Sequence, residues 1–236
     1  MLTFEVCNEL TLKVTCSGSD VLFTKTGAFI AGDSAGGKNY RFEKVLLGPQ
    51  QNLLSAALGS LARRVTGENL PLTKVIMQGD SETYYANFGQ HVLAYHLEPG
   101  EVVNVESENL LAFTQDCDYS VRFLGQGVLS QKGLATTTLT GRGKNAYVAL
   151  LSSGNPLVLS NVQSRSTLTA DPDALICWMG DERMNNDPQI KTDLNWKNLI
   201  GQHSGESYMF EWGGNQTVTV LIQPSERSGG IRVSVD

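Results

Sequence analysis

Ala31 to Asn39, AGDSAGGKN, is the stretch in which residue types and spacing come nearest to catalysis. Gly32-Asp33-Ser34-Ala35-Gly36 satisfies the G-x-S-x-G pattern of an activated serine. That chemistry needs a sharp strand-to-helix turn and a histidine base within reach of the hydroxyl. Here Lys38 to Phe42 alternate like a strand, and the three histidines, His91, His96 and His203, all follow the serine. A chymotrypsin-like chain places its base before it. The same residues nearly form a phosphate loop, Gly32 being followed after four residues by Gly37-Lys38. Asn39 stands where a magnesium-binding hydroxyl belongs, and no helical pattern follows to supply free N–H groups. A glycine-rich hairpin turn accounts for both matches.

The histidines offer a metal site at best in part. His91 and His96 are five apart, so on a regular strand they face opposite sides, whereas His96 and Glu98 share a face. Two ligands fall short of the cupin arrangement of closely spaced histidines plus a distant third. The acidic pairs Asp116/Asp118 and Asp171/Asp173 flank turn-like positions without the spacing of a calcium loop and read as solvated turn residues. Tyr40-Arg41-Phe42, and Tyr119 to Phe123 with Arg122, could make a stacking platform for a single strand of nucleic acid. Core and cross-strand packing explains these aromatics equally well. A net charge of −6 and a pI near 5.1 argue against an electrostatic grip on nucleic acid or anionic lipid. Cys7, Cys16, Cys117 and Cys177 contain no CxxC pair and read as buried free thiols. The residues thus assign no catalytic, cofactor-binding or metal-ligating position.

The elements that would have to position any site are mostly strands. The exception is the stretch Gly48 to Val75. There Leu53, Leu54, Ala57, Leu58, Leu61, Ala62 and Val65 fall on one side at roughly 100° per residue. An amphipathic helix is expected from Pro49 to Thr66, ended by Gly67, with Arg63 and Arg64 complementing its C-terminal dipole. Its apolar face is expected to pack on the protein's own sheet. Residues 3 to 16 alternate as half-buried strands, and short apolar strands are expected at Val21–Phe23, Ala28–Ala31, Tyr40–Leu47, Leu70–Met77, Thr83–Phe88 and His91–Leu97. Ile190 to Trp196 and Ile231 to Val235 alternate too. Strands this frequent imply a sandwich or closed barrel. With no charged n-region before an apolar run, and no apolar run near about eighteen residues, a cytosolic location is expected.

A repeat organises these strands. GAFIAGD (Gly27 to Asp33) recurs as ENLLAFT (Glu108 to Thr114) and DALICWM (Asp173 to Met179). A second element follows each: GENLPLTKV, KGLATTTLTG and GESYMFEWGG, each leading through glycines to a strand with Tyr84, Tyr147 or Val218. Three copies suggest pseudo-threefold symmetry in a single domain spanning 1–236, with repeats near 20–97, 98–165 and 166–224. The helix is then an insertion in the first copy, where the others have the loops Gly125 to Gln131 and Lys197 to Ser204.

The order and spacing of LLSAALGSLARRVTGENLPLTKV, HLEPGEVVNVESENLLAF and LATTTLTGRGKNAYVALLSSG carry a family resemblance. The chain resembles the mitochondrial biogenesis family whose yeast member is altered inheritance of mitochondria protein twenty-four, over roughly Val21 to Pro224. The shared features are a leucine- and glycine-rich segment ending in Gly-Glu-x-Leu, an acidic Pro-Gly-Glu turn and a Leu-Thr-Gly-x-Gly strand turn. Gln131-Lys132-Gly133 and Gly213-Gly214-Asn215 depart from the pattern in the second and third copies. The resemblance implies an all-β, three-part double-stranded β-helix similar to the tryptophan RNA-binding attenuation protein (TRAP-like), and it supplies no catalytic residue or cofactor. A non-enzymatic binding or assembly module is expected, forming a homo-oligomer or engaging a protein partner, without nucleic acid or membrane insertion. The alternatives are a single-stranded RNA binder by fold analogy and a metal-dependent, cupin-like enzyme near His96 and Glu98.

Overall fold

The computed structural model describes residues 1–45, 71–124, 135–191 and 209–225. The helix expected over 49–66 lies outside them, as do the loops at 125–131 and 197–204, the strand residues beyond 191 and the tail at 231–235. The described chain is all-β, built from antiparallel sheets, its one helical element being the 3₁₀ turn Ser107–Asn109.

The strands are β1 (Leu2–Val6), β2 (Leu12–Cys16), β3 (Ser19–Lys25), β4 (Phe29–Ser34), β5 (Tyr40–Val45), β6 (Leu72–Gln78), β7 (Ser81–Tyr85) and β8 (His91–His96). After the Pro-Gly turn come β9 (Glu101–Val105), β10 (Leu110–Thr114), β11 (Cys117–Phe123), β12 (Ala135–Gly141), β13 (Tyr147–Ser152) and β14 (Leu157–Ser160). The last group is β15 (Leu168–Ala170), β16 (Leu175–Asp181), β17 (Gln189–Lys191), β18 (Met209–Trp212) and β19 (Thr219–Ile222). One expected strand is shorter than its pattern. Thr83 to Phe88 does not continue past Tyr85, because Phe88 and Gly89 both take positive φ in a turn closed by the Gln90 N–H on the Asn87 carbonyl at 2.9 Å.

Sheet I runs β1-β2-β7-β4, sheet II β5-β6-β3-β10-β13-β8, sheet III β11-β12-β9-β16-β19-β14 and sheet IV β15-β18-β17. Advancing every strand of sheet II by six places along the chain yields sheet III. Advancing again yields sheet IV, and stepping back from sheet II yields the β2-β7-β4 part of sheet I. Sheets IV and I are therefore the two halves of a third copy of the same sheet, separated between β15 and β4.

Register repeats as closely as order. Each of β4, β10 and β16 carries a bulge, between Phe29 and Ala31, Leu110 and Ala112, and Leu175 and Cys177. The extra residues are Ile30, Leu111 and Ile176, so Gly32, Phe113 and Trp178 are equivalent. This is the alignment of GAFIAGD, ENLLAFT and DALICWM.

The sheets stack in the order I, II, III, IV. Between I and II lie Leu12, Val14, Tyr85, Met77, Leu111 and Leu151; between II and III, Phe113, Val148, Leu150, Val103, Leu139 and Leu221. Trp178, Phe210, Trp212 and Val220 fill the space between III and IV. Sheets II and III are covered on both faces, which is why β10 is a continuous apolar run, buried throughout. β2 and β7 alternate instead, since sheet I leaves Lys13, Thr15, Glu82 and Tyr84 toward water.

Candidate functional site

Ser34 closes its own turn. Its Oγ donates to the Gly37 carbonyl at 2.5 Å and accepts the Asn39 N–H at 3.3 Å, while the Asn39 amide donates to the Ala35 and Asp80 carbonyls. Gly36 and Gly37 take φ of 75° and 122°, which suits a hairpin turn at residues without Cβ. Among the described residues neither the serine reading nor the phosphate-loop reading finds its partner, and Lys38 lies over the rings of Tyr40 and Phe42 at 5.4 and 5.6 Å.

The structure brings several of the other polar candidates together at one end of sheets II and III. At the end of β8, His96 Nδ1 lies 3.6 Å from Glu98 Oε1, its Nε2 is 2.9 Å from the Lys144 carbonyl and its ring packs edge-on against Tyr147. The shared face expected for His96 and Glu98 is present. The acidic turn follows, with the Glu98 N–H on the Glu101 carboxylate at 2.9 Å, and the Gly100 N–H on the Gly141 carbonyl at 3.0 Å. Two of the motifs that carry the family likeness thus touch each other. A Cβ on Gly141 would lie 2.6 Å from the Glu98 carbonyl oxygen and one on Gly143 would lie 2.2 Å from the Asp116 carboxylate. The Leu-Thr-Gly-x-Gly pattern is therefore a packing requirement. Asp116 accepts the Asn145 N–H, and Arg142 bridges Asp118 and Glu182 at 2.8 and 2.7 Å. These carboxylates are spent on turn and cation partners, and no cluster of three His, Cys, Asp or Glu suited to a metal occurs among the described residues.

Beside this junction Tyr95, His96, Glu101, Met179, Asp181 and Thr219 line an open cleft of about 450 Å³. Hydrogen bonds from Arg183 hold the Asp181 carboxyl down at about 2, and burial pushes the Tyr95 phenol up to about 12. Asp181 is thus an anion held by its neighbour Arg183 at 2.5 Å. His91 opens β8 in a separate hollow with Val6, Glu9 and Asn155. Asp171 accepts the Asp173 N–H in a turn, as expected of solvated turn residues.

Of the two aromatic and basic stretches, Tyr119 to Arg122 is tied to its own neighbours, whereas Arg41 and Phe42 are exposed. Tyr119 stacks on Phe113, which stacks on Phe23, at 5.5 and 5.2 Å. Arg122 donates to Thr138, to Asn104 and through both terminal nitrogens to Asp187. Burial raises the thiols of Cys16, Cys117 (to about 12) and Cys177, leaving Cys7 as the exposed cysteine. No helix among the described residues is long and apolar enough to cross a membrane.

The feature that sequence reasoning missed is the edge of sheet I. β4 occupies the place of β10 and β16, yet its residues are exposed except at the two half-buried ends. Ile30 is 55% exposed, while its equivalents Leu111 and Ile176 are fully buried. Phe29, Tyr40 and Phe42 form a ring cluster beside it, Phe29 lying 4.8 Å from Phe42 and 5.7 Å from Tyr40. The Tyr40 ring sits where a Cβ on Gly32 would be, 2.5 Å from its hydroxyl. The signal was available: the GAFIAGD copy has glycine where the other two have Phe113 and Trp178.

A family model described as mitochondrial biogenesis AIM24 matches residues 4–225. No curated protein matches the chain. Among solved structures, a crystal structure of a Streptococcus pyogenes protein is similar with a TM-score of 0.67 and 17% identity, covering 96% of this chain and 94% of the other. That likeness is one of fold.

Proposed function

Since the chain belongs to the mitochondrial biogenesis AIM24 family, matched over residues 4–225, we propose that it is a binding and assembly module, working by protein–protein contact at its open sheet edge and without chemistry of its own. The observation that carries this reading is β4, a strand exposed along its length with Ile30 at its bulge. An uncovered edge offers unpaired N–H and C=O groups to another chain. The polar candidates support the same reading, since Ser34 is held within its turn and His96 between Lys144, Glu98 and Tyr147. The six-place advance that relates the sheets supports the finer architecture, a three-part double-stranded β-helix of the TRAP-like kind. A homo-oligomer in the cytosol completes the proposal.

Native mass spectrometry of protein purified gently from its own cells tests it. An oligomer, or a complex with a second protein, is the expected result. A monomer carrying a metal or small cofactor, with a turnover abolished by His96→Ala, would overturn it.

A further inference from the structure

The assembly reading leaves open what meets the exposed edge, and the repeat itself answers that. Inside the chain, the strand at the β4 position pairs twice with the strand at the β15 position. β10 pairs with β3 through Ala112↔Thr24, Phe113↔Phe23 and Thr114↔Leu22. β16 pairs with β9 through Cys177↔Val105, Trp178↔Asn104 and Met179↔Val103. The remaining members of the series, β4 and β15, end their respective sheets and are not paired with each other.

The missing register follows from equivalences already on the page. The bulges align Ala31 with Ala112 and Cys177. Five residues separate Thr24 from Phe29, Val105 from Leu110 and Ala170 from Leu175, which aligns Ala170 with Thr24 and Val105. Both internal ladders then dictate one pairing: Ala31 with Ala170, Gly32 with Thr169 and Asp33 with Leu168.

Building on the proposed assembly function, we infer that β4 of one copy pairs with β15 of a second copy in this register, so that sheets I and IV from different chains complete a third six-stranded sheet. Sheets I and IV lie at opposite ends of the stack, which makes the contact head-to-tail, closing into a ring or continuing as a filament. Two exposed apolar residues fit the same occupant, on a face that otherwise carries Lys13, Thr15, Glu82 and Tyr84. Ile30 faces the way Leu111 and Ile176 face, toward the preceding sheet of the stack, which for sheet I would be sheet III of the neighbouring copy. On that sheet Leu157 is 56% exposed, while Leu93, its equivalent on β8, is half-buried against the core between sheets II and III. One docking event covers both residues.

Disulfide trapping reads the seam directly. In a Cys7→Ser background, Ala31→Cys and Ala170→Cys are made as separate proteins, mixed and mildly oxidised; Asp33→Cys with Leu168→Cys is a second pair in the same register. Facing positions in an antiparallel ladder lie about 4.5–5.5 Å apart, within disulfide reach. The expected product is a covalent dimer, twice the 25.6 kDa chain, formed in the mixtures and absent from either variant alone. Ile30→Lys in the unmodified chain is expected to weaken association about tenfold or more. Dimer from Ala31→Cys alone would mean that β4 pairs with itself, and an Ala31→Cys/Ala170→Cys double variant closing within one chain at every dilution would place the seam inside the monomer; either overturns the inference. Native mass spectra separate the levels: an oligomer trapped by neither pair removes this seam and leaves the assembly reading standing, while a monomer with no protein partner at any concentration removes both.

Discussion

β4 and β10 hold the same place in the repeat, share the same bulge and pair with equivalent strands, yet one is exposed and the other is wholly buried. The difference shows how a repeat adapts when one of its copies lacks a neighbour. On β10 of sheet II the large ring is Phe113, and the position it packs beside, at the start of β11 in sheet III, is the small Cys117. On β4 of sheet I the sizes are exchanged, with Gly32 on the strand and Tyr40, at the start of β5 in sheet II, at the position of Cys117. This equivalence follows from the registers Tyr40↔Met77 and Cys117↔Gly141. The exchange keeps a ring between the strand and the following sheet, supplied from the other side of the same interface. Leu111 and Ile176 could not stand exposed where they are; Ile30 does.

The largest effect should come from the buried member of the series. Trp178, packed against Phe210 and Trp212, changed to alanine is expected to cost about 3–5 kcal/mol in denaturant unfolding. A loss below about 1 kcal/mol would mean that sheets III and IV do not share a close-packed core. Next in size is the matched pair at the bulge: Leu111→Ala should cost about 2–5 kcal/mol and Ile30→Ala less than about 0.5 kcal/mol under dilute, unassembled conditions. Equal costs would erase the distinction between the open edge strand and its covered counterpart. Gly32→Ala forces Tyr40 to move, since its hydroxyl occupies the place of the new methyl, and should cost about 1 kcal/mol. Its signature is a changed near-ultraviolet circular dichroism of the ring cluster; an unchanged spectrum would refute the size exchange.

The smallest effect is electrostatic. Arg183 lowers the folded-state pKa of Asp181 to about 2, so the carboxylate's contribution to stability is fully present above its unfolded value, near 3.9. It is lost as pH falls toward about 2. Melting temperatures of wild type and Asp181→Asn should therefore differ at neutral pH and converge below pH 3. A constant difference across that window would assign the effect to something other than ionisation.

Much of this was legible in the chain. The apolar cores FIAG, LLAF and LICW are similar because each must cross the same bulge, and their alignment is the structural register. The glycines of LTGRGKN stand out because backbone and carboxylate approach them too closely for a Cβ. Strand parity puts His96 and Glu98 on one face, and their side chains meet there at 3.6 Å. Other features escaped. Thr83 to Phe88 reads as one strand because a local apolar pattern does not register the positive φ at Phe88. The serine and phosphate-loop patterns were weak because hydrogen bonds within a glycine turn require the same residue types as catalysis.

The strands, their threefold recurrence and the bulge that sets their register follow from side-chain period, turn residues and local sterics, all carried by neighbours in the chain. Only the tertiary structure decided which strands meet. Pairing β10 with β3 or β16 with β9 joins segments about ninety and about seventy-five residues apart, and nothing local distinguishes the pair that forms from the one that is left open. The split between sheets I and IV, and with it the surface this chain presents to a partner, is a property of the ends of the stack, where the repeat runs out of copies of itself.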